Sequence, residues 1–366
     1  MQTTFLKNGG SRSVVELCKA LETRLQDDLI TALLQKRETE FDLLTSVALL
    51  KTLAKGSNRG KAMAFNDGFR NKVNWAGLVE RIAGRILNTA SGNTTLPANL
   101  AASQFVSISS SLARLRFGEV ASLQKLPREP SAMVHLVRYA AEINTEPELI
   151  DLAELRSVVK FTERSPQWLP GHVMTSVAML FKRRPDVMQM DPLASLIPDL
   201  LRELENRSST LPQRDLEDLS DPLTVVSLAG YRIPPVLVKH SSSGTSEHSR
   251  RRRVQTSKFQ EEIHGIIERH FASITDLIVE VEAADGVDLR VTLRGEEKAQ
   301  RKVAIQCYGP THYVWDGSRI EGRTAFKEFL LTKVLKYDRV VGIKHEQWER
   351  ERIDTRLSRV QKALQI

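Results

Sequence analysis

The chain has 366 residues, of which 41% are hydrophobic and 27% charged, a composition typical of a globular protein with room for two or more domains. Lys and Arg number 53 against 45 Asp and Glu, and the formal net charge of +8 is consistent with a polyanionic partner. The two cysteines, Cys18 and Cys307, exclude a disulfide framework or a zinc site built on thiolates, and no apolar run reaches the ~20 residues of a membrane span, so no membrane insertion is expected.

The first 206 residues predict one amphipathic helix after another. Apolar residues recur at spacings of three and four, as at Val14, Leu17 and Leu21, and prolines fall near the ends of the segments. The segments pair as helical hairpins near residues 12–55, 74–117, 131–163 and 171–206. This pattern favours an α-solenoid-like region, in which each hairpin buries its apolar face on its neighbours, and a non-repeating helical bundle is the alternative.

Residues 207–257 predict a connector with a basic linker. Asn206–Pro222 is rich in Ser, Pro and acidic residues and lacks helical periodicity. The short apolar runs at 225–228 and 236–238 fit either a helix or a strand. Ser241–Ser249 predicts a flexible linker, which leads directly into a run of four arginines.

Residues 258–366 change to a mixed pattern of helix and strand periodicities. In chain order the predicted elements are a helix from Phe259 to Phe271, strands at Leu277–Glu282, Val287–Leu293 and Val303–Cys307, a helix at Thr324–Leu335, a strand at Val340–Lys344 and a helix at Arg350–Leu364. The Asp285-Gly286 pair between the first two strands is a hairpin signal. The chain is therefore predicted to be mainly α with a C-terminal α/β domain.

A set of residues within this last domain resembles a known family. The order is an apolar strand, a Gly-Pro turn, a histidine and an aromatic residue, then Gly-x-Thr-x-x-Lys at the start of a helix and a strand that closes on a tryptophan. The matching positions are Ile305, Gly309, Pro310, His312, Tyr313, Gly322, Thr324, Lys327 and Trp348. This layout resembles the RAP domain, an RNA-binding module abundant in apicomplexans and present in FAST-kinase-like and other organellar RNA-binding proteins. The resemblance implies a restriction-endonuclease-like fold for residues 258–366.

A metal-dependent nuclease of that fold needs clustered carboxylates, because a hard divalent cation takes oxygen ligands. Asp288 stands where the first carboxylate belongs. The RAP family usually has Glu-x-Asp on the third strand, whereas this chain has Gln306-Cys307-Tyr308. We therefore expect no catalytic residue, no cofactor and no bound metal, with Asp288 as a vestige. A residual metal-dependent endoribonuclease that uses Asp288 is the alternative.

Candidate RNA contacts combine cations for phosphates with flat side chains for bases. In the RAP-like domain they are His312, Tyr313, Trp315, Arg319, Arg323, Lys327, Lys344 and Trp348. The start of the helix near Thr324 adds backbone N–H groups suited to a phosphate. The alternative for His312 and Trp348 is a structural role in which they hold the loop in shape.

Two further basic segments are candidate contacts. Arg250, Arg251, Arg252 and Arg253 predict an arm that orders on RNA, with a solvated tether or a targeting signal as the alternatives. The loop from residue 55 to 72 carries Lys55, Arg59, Lys61, Arg70 and Lys72. A long basic loop of this kind suits contact with ribosomal RNA, and plain disorder is the alternative.

These features and the resemblance predict a non-catalytic RNA-binding protein. The resemblance implies an organelle, first the mitochondrion and then the plastid, and work on mitochondrial ribosomal RNA as a mitoribosome component or assembly factor. Ribosomal or other RNA-associated proteins are then the expected protein partners. A transcript-specific RNA processing or stability factor and a protein-binding scaffold remain as alternatives.

Overall fold

A computed structural model describes most of the second half of the chain. The described residues are 130–145, 169–242, 257–271, 276–281, 283, 286–294, 300–309, 312–314 and 319–365, together with positions 47, 50, 108, 111 and 112. Other parts of the predicted hairpins near 12–55 and 74–117, and the second half of the one near 131–163, lie outside these residues. Among the residues that the structure describes, no helix is both long and apolar enough to cross a membrane.

Four helices come first among those for which the structure gives bounds. They are α1 (Pro130–Glu142), α2 (Leu169–Phe181), the short α3 (Pro185–Met188) and α4 (Leu193–Arg207). The apolar stripe predicted for α4 is its buried face: Leu193, Leu196, Ile197, Leu200, Leu201 and Leu204. The same core includes the buried side chains of Val47, Leu50, Ile108 and Leu112. The helices predicted at 131–140 and 171–206 are thus present.

The segment predicted as a connector over residues 207–257 contains three short helices, and the apolar runs at 225–228 and 236–238, for which helix or strand was open, are helical. The three helices are α5 (Gln213–Glu217), α6 (Ser220–Leu228) and α7 (Pro235–Ser242). Leu216, Leu223 and Leu237 from these three helices are buried in the helical core. The helical region therefore extends to Ser242, and residues 243–256 lie outside the part that the structure describes.

The C-terminal α/β part has the element order that the sequence predicts. Its elements are α8 (Lys258–His270), β1 (Asp276–Val281), β2 (Leu289–Arg294), β3 (Gln300–Tyr308), α9 (Gly322–Lys333), β4 (Arg339–Lys344), α10 (His345–Arg350) and α11 (Ile353–Leu364). The predicted last helix, Arg350–Leu364, starts later, at Ile353, because the chain is extended at Glu351 and Arg352, and the short helix α10 before it was not predicted. Gly286, in the predicted hairpin turn, has a φ of +77°, a conformation that glycine adopts without steric cost.

The four strands form one mixed sheet in the order β1-β2-β3-β4. Neighbouring strands are antiparallel except for β3 and β4, which are parallel. Alternate residues face opposite sides of a strand. On β3, Val303 and Ile305 pack with Ile263 of α8 and Val360 of α11, whereas Ala304 packs with Leu331 of α9. Helices α8 and α11 therefore cover one face of the sheet, and α9 covers the other.

Helix α9 also belongs to the helical core. Its residues Phe326 and Leu330, together with Val314 of the preceding loop, are buried among the side chains of α1, α2 and α4. A Cβ atom added to Gly322 would lie 1.7 Å from the carbonyl oxygen of Ala141 in α1. The absence of a side chain at Gly322 thus allows α9 to start against the end of α1. The helical part and the sheet consequently share α9 as a common packing element.

Candidate nucleic-acid interface

Several predicted RNA contacts meet where β3 and β4 end. Because the two strands are parallel and Tyr308 pairs in register with Lys344, their ends lie side by side. The ring of Tyr308 stacks on His312, with centroids 5.2 Å apart, and meets Tyr313 edge-on. Lys344 Nζ lies 4.5 Å from the centroid of the Tyr313 ring. The structure therefore brings His312, Tyr313 and Lys344 together, around a tyrosine that was not among the predicted contacts. We name this region, with the first two turns of α9, the strand-end rim.

The start of α9 is occupied by a carboxylate of the protein itself. Glu321, only 3% exposed, accepts hydrogen bonds from the backbone N–H groups of Arg323 (3.1 Å) and Thr324 (2.8 Å) and from the Thr324 hydroxyl (2.7 Å). The prediction of a phosphate site at this helix start is wrong, because the donors are bonded and the buried carboxylate repels an anion. Glutamate is not among the preferred N-cap residues, so this cap was hard to predict from the sequence.

His312 holds the loop against this capped helix start. Its Nδ1 lies 3.1 Å from the Thr324 hydroxyl oxygen, and its carbonyl oxygen accepts a hydrogen bond from the Glu321 N–H at 2.9 Å. Two residues later, Val314 enters the helical core. These contacts favour the structural alternative for His312, although its half-buried ring keeps a solvent-facing part.

Arg323 connects α9 to α1. Its Nε and Nη2 donate to Glu142 Oε1 at 3.1 and 3.0 Å. The charge of Glu142 raises the pKa of the Arg323 guanidinium, and this effect outweighs the desolvation of the guanidinium, which by itself lowers the pKa. The side chain of Arg323 is 61% exposed, so this ion pair contributes little stability. Glu142 nevertheless neutralises part of the positive charge of Arg323 that would attract a phosphate.

The other cations of the strand-end rim also have acidic neighbours. Burial raises the pKa of the Asp221 and Asp288 carboxyls, and in both cases the nearby charge of Lys327 opposes the rise. Lys344 Nζ lies 4.0 Å from Glu346 Oε2. Among the described residues, the cations Arg319, Arg323, Lys327 and Lys344 of the rim have six acidic neighbours: Glu142, Asp221, Asp288, Glu321, Glu328 and Glu346. It is therefore not an electropositive surface.

Trp348 does not offer its ring to a base. It is 1% exposed and packs in the core between the sheet, α8 and α11. Its indole N–H donates to Glu262 Oε2 at 2.8 Å, and the guanidinium of Arg356 lies 5.2 Å from the centroid of its ring. Its burial contradicts the prediction of an RNA contact at Trp348, and its structural role is in this core and not in holding the loop after β3.

The remaining predicted contacts fall in two groups. Arg319 is half-buried next to the loop, and its carbonyl oxygen accepts a hydrogen bond from the Val314 N–H at 3.0 Å. The others lie outside the described residues: Lys55, Arg59, Lys61, Arg70, Lys72, Arg250, Arg251, Arg252, Arg253 and Trp315.

The predicted vestigial carboxylate lies on the α9 face of the sheet. Asp288 Oδ2 accepts a hydrogen bond from the Cys307 N–H at 2.6 Å. Because Leu289 pairs with Ile305, Asp288 stands opposite Gln306, whose side chain is buried and whose Nε2 has no hydrogen-bond partner. The Tyr308 hydroxyl donates to Glu328 Oε1 at 2.6 Å. Burial, followed by the bond to Glu328, raises the pKa of Tyr308 well above its ordinary value, so the phenol stays protonated at neutral pH.

No family model and no curated protein matches the chain. The RAP resemblance thus stays a prediction that rests on the residues named above. Within the described part of the chain, no three His, Cys, Asp or Glu side chains are arranged to hold a metal ion.

Replacing Tyr308 by phenylalanine tests whether its hydroxyl stabilises the fold through the hydrogen bond to Glu328. We expect Tyr308→Phe to lower the free energy of unfolding by about 2 kcal/mol, because the half-buried Glu328 carboxylate loses its hydrogen-bond donor. Urea denaturation followed by circular dichroism measures the change. Tyr313→Phe is the matched control, since it removes a hydroxyl from a neighbouring ring whose described contacts are made by the ring and the backbone. Equal stability of both variants would contradict the assigned role.

Proposed function

We propose that the protein binds RNA without cutting it, as a RAP-type protein with an α-solenoid-like helical region and a restriction-endonuclease-like C-terminal domain. The order of elements from α8 to α11 supports the proposal, because it is the order that the resemblance implies. The antiparallel β1, β2 and β3 with a parallel β4 suit the same fold. The formal net charge of +8 favours a polyanionic partner.

The observation that carries the non-catalytic part is the chemistry around Asp288. Where a nuclease of this fold carries two more acids, the chain has the buried Gln306 and the protonated Tyr308. The Asp288 carboxylate is itself hydrogen-bonded to the backbone of β3. A single carboxylate beside neutral groups supplies too little negative charge to hold Mg²⁺ well. The residues around Asp288 therefore suit a fold retained for binding.

Mitochondrial ribosomal RNA is the ligand that the resemblance favours, with plastid RNA second. The expected role is that of a mitoribosome component or an assembly factor, next to ribosomal or other RNA-associated proteins. Phosphate contacts would dominate the affinity, which would then fall steeply with salt. A protein-binding scaffold would instead keep its partners in high salt and after RNase treatment.

Crosslinking the tagged protein to RNA in its native cells, followed by sequencing of the bound fragments, tests the proposed function. We expect the reads to concentrate on ribosomal RNA. Reads that accumulate at one transcript end would favour a processing or stability factor. A library no richer in RNA than that of an untagged control would contradict RNA binding and favour the scaffold.

Incubation of the purified protein with labelled RNA in Mg²⁺ or Mn²⁺ tests the absence of catalysis. We expect no cleavage above that of a buffer control, because Asp288 is the only acid left of the three expected in the site. The control is Asp288→Ala prepared in parallel, which separates the protein's own activity from a contaminant. Cleavage by the wild-type protein that Asp288→Ala abolishes would sink the non-catalytic assignment.

A further inference from the structure

A second basic surface lies at the opposite end of the sheet from the strand-end rim. Strands β3 and β4 are parallel, so both begin there, and α9 and α11, which run back across the two faces, end there. Six basic residues occupy this end, and we name them the strand-start patch: Arg301, Lys302, Lys333, Lys336, Arg339 and Lys362. They are separated by up to 61 positions in the chain, and the topology alone brings them together.

Hydrogen bonds hold the backbone of the strand-start patch in a fixed arrangement. The Lys302 N–H donates to Asp338 Oδ2 at 2.7 Å, and the Asp338 N–H donates to the Lys302 carbonyl at 3.0 Å. Arg339 Nη1 donates to the Lys362 carbonyl at 2.8 Å, and Arg301 donates to Leu364 O and to Gln365 Oε1. The starts of β3 and β4 and the end of α11 are thus tied to one another.

The charge of the patch is largely uncompensated. Within the described residues, Arg301 and Arg339 bond to carbonyl and amide oxygens at the end of α11, where the helix dipole favours cations, and neither forms an ion pair with an acid there. The four lysines of the patch have exposed or half-exposed side chains, and within the described residues none of them forms an ion pair: Lys302, Lys333, Lys336 and Lys362.

Acidic residues near the patch remove only part of this charge. Asp338 lies within it, and Asp276 and Arg294 are partners in the register of β1 and β2 at this end of the sheet. The sequence between β2 and β3, residues 295–299, is outside the described residues and contains two glutamates and one lysine. A formal excess of four positive charges remains at this end of the domain. The strand-end rim, in contrast, has six acidic neighbours for its four cations among the described residues.

We propose that the strand-start patch, rather than the strand-end rim, binds the phosphate backbone of the RNA. The inference rests on the proposed function and names the surface that performs it. Lysines and arginines without acidic partners are the groups that release counterions from phosphates. The six patch residues include no aromatic side chain, and Tyr337, which follows Lys336 in the chain, is buried, so the patch holds the backbone and does not read bases.

The test compares two full-length triple variants that lose the same charge. Lys302→Gln, Lys333→Gln and Lys336→Gln together remove three exposed lysines of the patch. The control combines Arg183→Gln, Arg214→Gln and Arg232→Gln, three exposed arginines on the helical part. Binding of a fluorescent single-stranded oligouridylate is measured by anisotropy across a salt series. Melting curves check that both variants keep the wild-type fold.

We expect the patch variant to lose about tenfold or more in affinity and the control variant to change little. The slope of log affinity against log salt should fall by about two in magnitude, since each phosphate contact on a single strand contributes ~0.7. An oligoadenylate should give the same losses, because bases are not read.

Three results would count against the inference or its premise. Wild-type affinity in the patch variant overturns the assignment of the surface and leaves RNA binding intact. Equal losses in both triple variants overturn it as well, because net charge and not location then decides binding. Failure of the wild-type protein to bind either oligonucleotide at low salt overturns the proposed function itself.

Discussion

Replacing Gly322 by alanine is expected to lower the free energy of unfolding by about 3 kcal/mol. The added Cβ would lie 1.7 Å from the Ala141 carbonyl oxygen, 2.7 Å from its carbonyl carbon and 2.9 Å from the Met179 methyl group. Two of these atoms belong to backbone, so α9 or the end of α1 must move. Alanine would otherwise favour a helix by up to ~1 kcal/mol over glycine, and the clash reverses that sign.

Gly309 provides the matched control for this substitution. A Cβ atom there would meet no atom within 4 Å, and we expect Gly309→Ala to change the stability by less than ~0.5 kcal/mol. Urea denaturation measures both variants. Limited proteolysis would show in addition whether the loop before α9 opens in Gly322→Ala, since the clash separates that helix from α1. Unchanged stability of Gly322→Ala would contradict the close packing of the two helices.

Most of the motif residues that suggested RNA binding make structural contacts that connect the loop before α9, the start of α9 and the end of α1. Gly322 fits against α1, Thr324 bonds with Glu321 and His312, and Arg323 reaches Glu142. The sequence could predict that these residues gather at one end of the sheet, because strand ends and a helix start converge there. It could not show the acid partners, since Glu142 lies 181 positions before Arg323 and no local pattern connects them.

The sequence predicted the strands well. It assigned the helices between residues 213 and 242 to a connector. Segments such as Val303–Cys307 are rich in apolar and β-branched residues, which predicts strands. In the structure, alternate residues of this segment are buried against α8 and α11, as a strand pattern requires. The helices between residues 213 and 242 look like a connector by their Ser, Pro and acidic content. Yet Leu216, Leu219, Leu223 and Val226 recur at spacings of three and four and are all buried. That signal was present and was outweighed by composition.

The strand-start patch could not be predicted from the sequence. Its six basic residues are spread between positions 301 and 362 and form no local cluster in the chain. Only the parallel pairing of β3 with β4, and the return of α9 and α11 across the sheet, bring them to one edge. Charge clusters that are contiguous in sequence, such as Arg250–Arg253, attract attention first even though an assembled surface can carry more fixed charge.

Replacing Trp348 by alanine is expected to cost about 4 kcal/mol of stability. The side chain is the largest fully buried one among the described residues, and its loss leaves a cavity between the sheet, α8 and α11. The substitution also removes the hydrogen bond to Glu262, the edge contact with Phe259 at 5.7 Å and the ring beneath Arg356. Chemical denaturation monitored by circular dichroism measures the loss.

A second variant separates this structural role from stacking on a base. Trp348→Leu keeps an apolar side chain in the core and removes the aromatic face, and we expect it to fold with intermediate stability. Stacking contributes ~1–3 kcal/mol per base, so a stacking role predicts a loss of RNA affinity in folded Trp348→Leu protein. Because the ring is buried, we expect unchanged affinity for the oligouridylate per folded molecule. Weaker binding by Trp348→Leu together with full stability of Trp348→Ala would instead return the tryptophan to the RNA interface.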